Sequence, residues 1–202
     1  MKVGVLASGA GSNLQAILDR VHGREAEVVA VGSDKPGAQA LDRARAAGVA
    51  VEVFAASEFA DREARDVAMA SWLAERGVEL VVLAGYMQLV TPAFLARFPR
   101  RVINVHPALL PAFAGIGAVE QALAYGVKVF GVTVHFVDEG VDSGPVILQR
   151  ALELPDVTDA ATIRDLLRPV EHDLLSTAVR LIARGAVSFD PSHPRRVIVE
   201  VP

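Results

Sequence analysis

The chain has 202 residues, 52% of them hydrophobic, a formal net charge of −4 at pH 7 and no cysteine. That is apolar material for one domain with a sizeable core, and the lack of cysteine excludes disulfides, thiolate metal sites and a cysteine nucleophile. The acidic balance leaves no basic footprint for nucleic acid or an anionic membrane, so an anionic substrate has to be captured locally.

Residues 2–7 are a first apolar run that turns glycine-rich by residue 9, which reads as a buried strand rather than a signal peptide. Leu14, Ile17, Leu18 and Val21 mark one face of a helix over 13–21. A second strand at 27–31 leads to Pro36 and Gly37, which open an alanine-rich helix stopped by Gly48. A third strand covers 50–54, and a helix over 61–76 ends at Gly77. The run LVVLA at 80–84 is apolar at every position, as in a parallel strand covered on both faces. A fifth strand covers 101–105. Strand and helix alternating at this spacing predict βαβ units and a mainly parallel twisted sheet with flanking helices.

The second half reads differently. After Pro111 come a loop with Gly115 and Gly117 and a helix over 119–125. Strands at 129–137 and 146–154, joined by the short loop 138–144, predict an antiparallel C-terminal pair. Residues 158–184 are helical, with an interruption expected near Pro169, and three prolines from Ser188 onward predict a loosely packed tail. No stretch approaches the roughly 18 to 20 apolar residues of a membrane-spanning helix. The expectation is a single α/β domain over 1–202, with a phosphate- or nucleotide-binding half at 1–100, a catalytic half at 101–187 and a tail at 188–202. A cytoplasmic protein is expected, without nucleic-acid or membrane partners, and a homodimer is compatible with the sequence.

Ser8-Gly9-Ala10-Gly11-Ser12-Asn13 joins the first strand to the first helix, where glycines turn the chain tightly and helix N–H groups can hold a phosphate. A dinucleotide-binding loop needs a third glycine where Leu14 stands, and only Asp34 imitates that motif's ribose-binding acid. A P-loop is excluded because no Gly-Lys-Ser/Thr follows. The structural alternative is a plain turn with Ser12 or Asn13 as the helix N-cap.

Asn104 and His106 are two apart in an apolar strand ended by Pro107, so they share a face at its C-terminal edge, where ligands bind in open α/β sheets. Polar side chains there are costly unless hydrogen-bonded, and an amide beside an imidazole can donate two hydrogen bonds to one oxyanion. A carboxylate in the loop holding Asp138, Glu139 and Asp142 can pair with His106 and pass protons. Asp138 and Glu139 by themselves read as a solvated loop. His135 is expected to be hydrogen-bonded beside the site rather than to bind ligand, and His22 and His193 to lie on the surface. With no cysteine and no close His/Asp spacing, no metal site is expected.

These stretches together resemble the phosphoribosylglycinamide formyltransferase family: SGAGSN at 8–13, GYM at 85–87, INVHPALLP at 103–111 and VHFVDEGVDSGPVILQ at 134–149. The resemblance runs in order from Lys2 to about Glu171. Formyltransferases acting on methionyl-tRNA or nucleotide sugars share the Asn/His/Asp trio but lack the SGxGSN loop and carry a further domain. The resemblance implies formyl transfer from 10-formyltetrahydrofolate, a reduced-folate co-substrate, to glycinamide ribonucleotide, without a metal. It makes Asn104, His106 and Asp142 catalytic and puts the ribonucleotide on Gly11, Ser12, Asn13 and Glu171. Folate is implied along Tyr86, Met87, Gln88, Leu89 and Val90, near Arg62, Asp138 and Gly140, with 101–187 as the catalytic and folate-binding half. Leu110-Pro111 is expected to be cis. Three positions depart from the pattern: Gln88 stands for a frequent arginine, Ala114 for a proline and Gly117 for a histidine. Two alternatives remain at this point, a nicotinamide-binding domain resting on Gly9, Gly11 and Asp34, and a relative silenced by the change at Gly117.

Overall fold

Strand β1 (Lys2–Leu6) is buried from Val3 onward because it pairs in parallel on both sides, with β2 (Glu27–Ser33) and β4 (Leu80–Leu83). A computed structural model describes residues 1–200. In it, β3 (Ala50–Val53) adds to β2 and β5 (Val102–His106) to β4, also in parallel. The seven-stranded sheet has the order β3-β2-β1-β4-β5-β6-β7, where β6 is Val129–Phe136 and β7 Val146–Glu153, and this last pair is antiparallel. The mainly parallel α/β sheet with an antiparallel pair is therefore as the sequence predicts. Contacts divide the chain into two compact units, residues 1–104 and the part from Val105 onward.

In the first unit, helices α1 (Ser12–Arg20), α2 (Gln39–Ala46) and α3 (Arg62–Glu75) follow β1, β2 and β3. A further helix, α4 (Pro92–Arg97), escaped the sequence reading because it is only six residues long. Its signature is nonetheless present: Thr91 accepts the Phe94 N–H at 3.4 Å as N-cap, and Pro92 occupies the first turn. Beneath it lies a buried ion pair. Arg65 donates from Nε and Nη2 to Oδ1 of Asp66 at 3.1 and 2.9 Å, and Oδ2 of Asp66 accepts the Thr91 N–H at 2.7 Å. The pair thus ties α3 to the start of α4. His22 is half-buried rather than on the surface, because its Nδ1 accepts the Val28 N–H at 3.0 Å.

In the second unit, α5 (Ala118–Tyr125) precedes β6, and α6 (Ala160–Ala183) packs on β6 and β7. Two expectations fail here. Pro169 lies inside α6 without interrupting it. The ring removes one N–H, but buried side chains on both sides of it, Ile163 and Leu167 before and Leu174, Leu175, Ala178 and Val179 after, hold the helix against the sheet. The tail is not loose either. β8 (Val187–Phe189) and β9 (Val197–Val199) form an antiparallel pair, and the Phe189 ring packs on Phe136 with centroids 4.8 Å apart. Pro191 and Pro194 fall in the turn between these strands, and Pro202 lies outside the described residues. Leu110-Pro111 is cis, as expected. Thr133, fully buried, donates from its hydroxyl to the Ala108 carbonyl at 2.7 Å and accepts the Leu110 N–H at 3.1 Å, fixing the chain that leaves β5.

Removing Asp66 leaves the Arg65 guanidinium buried without its counter-charge and Thr91 N–H without its acceptor. Breaking a buried pair in this way typically costs about 3 to 5 kcal/mol. Asp66→Ala is expected to lose stability on that scale in urea unfolding. A loss of less than about 1 kcal/mol, the range of an exposed pair, means the pair is not what anchors α4.

Candidate functional site

Within the first unit, the glycine loop leaves β1 and enters α1. Gly11, not Ser12 or Asn13, is the N-cap of α1; it has φ 71° and no side chain to cap the helix. The first backbone turn closes with the Gln15 N–H on the Gly11 carbonyl at 2.9 Å, so the N–H groups of Ser12 and Asn13 belong to the open end of the helix. The packing of the fold by itself requires a glycine here. A Cβ on Gly11 meets the Ala40 backbone at 2.7 Å, and the positive φ strains any other residue.

The loop is braced on both sides. The Ala40 N–H donates to the Gly9 carbonyl at 3.1 Å, and Arg43 Nε to the Ala10 carbonyl at 2.7 Å. Ser8, buried, accepts the Met87 N–H on its hydroxyl at 2.9 Å. A cleft of about 560 Å³ opens between Ser8, Gly9 and Ala10 on one side and Lys35, Gly37 and Ala38 on the other. Neither Ser8 nor Lys35 stood out in the sequence. The only signal for Lys35 is its place at the end of the second parallel strand, the edge where such sheets bind ligands.

The segment 86–90 follows β4 in the same unit. Tyr86 is buried, its hydroxyl 3.8 Å from Met69 Sδ, and burial pushes its phenol pKa well up. Met87 and Leu89 are 59% and 53% exposed, and Gln88 and half-buried Val90 complete a stretch that offers backbone groups and apolar side chains outward. Gln88 Nε2 donates to Asp34 Oδ2 at 3.3 Å, so the acid that imitated a ribose ligand is turned toward Gln88. Arg62 is exposed at the first position of α3.

On β5, Asn104 is half-buried and His106 buried, two residues apart and therefore on one face. In the second unit His106 has two partners. Its Nδ1 lies 3.2 Å from Asp142 Oδ2, and its Nε2–H donates to the Phe113 carbonyl at 2.9 Å. Asp142 takes two more. His135 Nε2 lies 3.5 Å from Oδ1, and the Gly115 N–H donates to Oδ2 at 2.8 Å. His135 is itself oriented, its Nδ1–H donating to the Phe136 carbonyl at 2.8 Å. A shift in the β6–β7 register between Val134 and His135 re-aims that ring. The structure thus brings His106, His135 and Asp142 together.

Burial acts to raise the Asp142 carboxyl pKa. The hydrogen bonds from His135 and Gly115 and the charges of His106 and His135 outweigh it, leaving the group at about 2, below its usual 3.8. Asp138 takes no part in this cluster. Its Oδ1 accepts the Gly140 N–H and the Ser143 hydroxyl at 3.1 and 2.6 Å, shaping the loop from inside. Glu171 is half-buried on α6, and His193 is exposed. Among the described residues no group of three His, Cys, Asp or Glu side chains is arranged to hold a metal ion.

This geometry, an amide and an imidazole on one strand with a charged carboxylate behind the imidazole, suits stabilisation of an oxyanion during acyl transfer. Residues 1–179 match the family described as formyl transferase. The chain belongs to the formyl transferase family. It is 44% identical over 185 residues to a phosphoribosylglycinamide formyltransferase of Mycobacterium tuberculosis, covering 91% of this chain and 86% of the other. One of Bacillus subtilis is 39% identical over 181 residues, covering 89% and 93%. A crystal structure of glycinamide ribonucleotide transformylase 1 from Symbiobacterium toebii superposes with a TM-score of 0.93 at 45% identity, over 98% of this chain and 93% of that one. The trifunctional purine biosynthetic protein adenosine-3 of Chironomus tentans is 40% identical over 193 residues, but this formyl transferase spans only 14% of its length.

Because Asp142 titrates lower in the fold than in the unfolded chain, its contribution to stability is present above about pH 4 and is lost as pH falls through about 2. Asp142→Asn has no such proton to take up. Its unfolding midpoint is expected to fall less than that of the unmodified protein between pH 4 and 2. Parallel acid profiles mean that the three contacts do not hold the carboxylate charged.

Proposed function

We propose that this formyl transferase moves the formyl group of 10-formyltetrahydrofolate to the amine of glycinamide ribonucleotide, a step of purine biosynthesis leading to IMP. The observation that carries the reading is His106 held between Asp142 and Phe113 beside Asn104, in a chain this similar to phosphoribosylglycinamide formyltransferases.

The folate supplies the formyl carbon, whose oxygen takes up negative charge and whose ring-side nitrogen leaves. Asn104 and His106 donate hydrogen bonds to that oxygen. Both nitrogens of His106 face acceptors, an arrangement that an imidazolium completes. The Phe113 carbonyl holds Nε2–H until a more strongly charged oxygen replaces it. Asp142 keeps the imidazolium paired. A carboxylate this acidic is a weak base, so it takes a proton only once the attacking amine has bonded to carbon and become ammonium-like. Asp142 then passes that proton, directly or by water, toward the departing nitrogen.

The ribonucleotide phosphate has its natural seat at the open end of α1, on the backbone of Gly11, Ser12 and Asn13, with Lys35 facing the loop. Glu171 would receive ribose hydroxyls. The pterin and benzoyl portions fit the outward backbone and apolar side chains of 86–90, with Arg62, Asp138 and Gly140 as further contacts. The Gln88 amide, drawn to Asp34, offers no cation to the folate's glutamate.

The test is formyl transfer measured by release of tetrahydrofolate with glycinamide ribonucleotide as acceptor. Asn104→Ala and His106→Ala are each expected to lower turnover on the order of 10² to 10³. Near-normal turnover in both removes the mechanism.

Gly117 stands where a histidine is frequent, and its φ of 75° as N-cap of α5 favours glycine. An L-residue there costs about 1 to 2 kcal/mol. The unmodified protein is expected to be active, and Gly117→His to raise turnover no more than roughly tenfold, about 1.4 kcal/mol, while losing stability. Inactive protein rescued by that change means the missing imidazole is essential.

A further inference from the structure

The loop between β6 and β7 carries Asp142 in a left-handed conformation, φ 49°, which an aspartate adopts only when its surroundings hold it there. Its tip is solvent-facing, with Glu139, Gly140, Val141 and Ser143 all exposed. Asp138 braces it from inside, and the Phe136 N–H closes its base on the Pro145 carbonyl at 2.8 Å. Those bonds close the loop on itself; toward the rest of the unit the Asp142 side chain reaches His106, His135 and the Gly115 N–H, and the backbone beside it is held by a separate element.

We propose that the C-terminal hairpin β8–β9 is a positioning element for Asp142, gripping its loop at two points. The inference rests on the catalytic role given to Asp142 above. The first grip is at the base. Phe189 of β8 packs on Phe136, the residue whose N–H closes the loop and whose carbonyl orients His135. The second is directly beside the carboxylate. Arg195 Nη2, from the turn between β8 and β9, donates to the carbonyl of Ser143 at 2.6 Å. The hairpin is built to present that arginine. Asp190 Oδ1 accepts the N–H and hydroxyl of Ser192 at 2.8 and 2.6 Å, and the Asp190 N–H donates to the Arg196 carbonyl at 2.9 Å. The turn therefore has a set shape, and both ends of a short strained loop are held by one element. Phe189 and Arg195 are positioning residues that act on the reaction only through Asp142.

Four full-length variants test this: Phe189→Ala, Arg195→Ala, Arg195→Lys and the double alanine variant. Two readouts are taken, amide hydrogen exchange along the chain and formyl-transfer kinetics. In the double variant, exchange over 138–144 is expected to quicken about tenfold while that of β1, β4 and β5 stays unchanged. Turnover is expected to fall about tenfold, the scale of a displaced catalytic group, with the KM for glycinamide ribonucleotide unaltered. Arg195→Lys, which keeps the charge and a donor, is expected to recover part of the turnover lost in Arg195→Ala. Unchanged exchange in the loop overturns the proposal, as does exchange that rises equally everywhere, which marks a merely stabilising hairpin. Quickened loop exchange with full turnover overturns it too. If the unmodified protein transfers no formyl group, the functional reading has failed, and the exchange result still decides whether the hairpin holds the loop.

Discussion

An ionised carboxylate that is largely out of water has to be answered by donors, and in this protein that requirement falls on Asp142. Its answers come from three separate places in the second unit: His106 on β5, His135 on β6 and the Gly115 N–H in the loop before α5. Each of these is positioned by something that makes little sense otherwise. The β6–β7 register slips at His135 and turns its ring; the Phe136 carbonyl holds the ring's other nitrogen. Thr133, a polar side chain with no exposure, anchors the backbone leaving β5. The low pKa of Asp142 is the sum of these arrangements, and it leaves His106 facing a permanent negative charge.

The first unit answers a different constraint, the fixed path of its glycine loop. Gly11 opens α1 without a side-chain cap. Arg43 and the Ala40 N–H bond the loop's backbone carbonyls, and the Ser8 hydroxyl within it accepts the Met87 N–H, so the loop is tied from three directions.

How much of this could be read beforehand follows from the physics of each feature. The parallel strands were legible because a strand covered on both faces is apolar throughout, as at 80–84. Asn104 and His106 were legible because two polar residues in such a run have no structural excuse. What escaped depends on contacts rather than on pattern. The Gly115 N–H is a backbone donor, invisible in any sequence. Ser8 and Lys35 are ordinary residue types; the Met87 N–H that Ser8 accepts and the cleft that Lys35 lines with the glycine loop both join residues far apart along the chain. Pro169 misled because the helix it would weaken is held by buried side chains on both of its sides, and Pro191 and Pro194 misled because they fall in a hairpin turn. The close approach of Gly11 to Ala40 is a tertiary contact that no sequence pattern shows.

The loop 112–117 shows why departures from a family pattern can sit beside an intact His106–Asp142 pair. Its two bonds to that pair are made by main-chain atoms, the Phe113 carbonyl to His106 and the Gly115 N–H to Asp142. Main-chain atoms are present whatever the side chain, so Ala114 in place of a proline and Gly117 in place of a histidine leave both bonds standing. What the side chains govern is the path of the backbone, and here Phe113, Gly115 and Gly117 all have positive φ. Two of these three positions are glycines, for which that conformation carries no steric cost. A histidine at 117 strains the turn. The glycine therefore keeps the backbone relaxed, and the backbone is the part of the loop that touches His106 and Asp142.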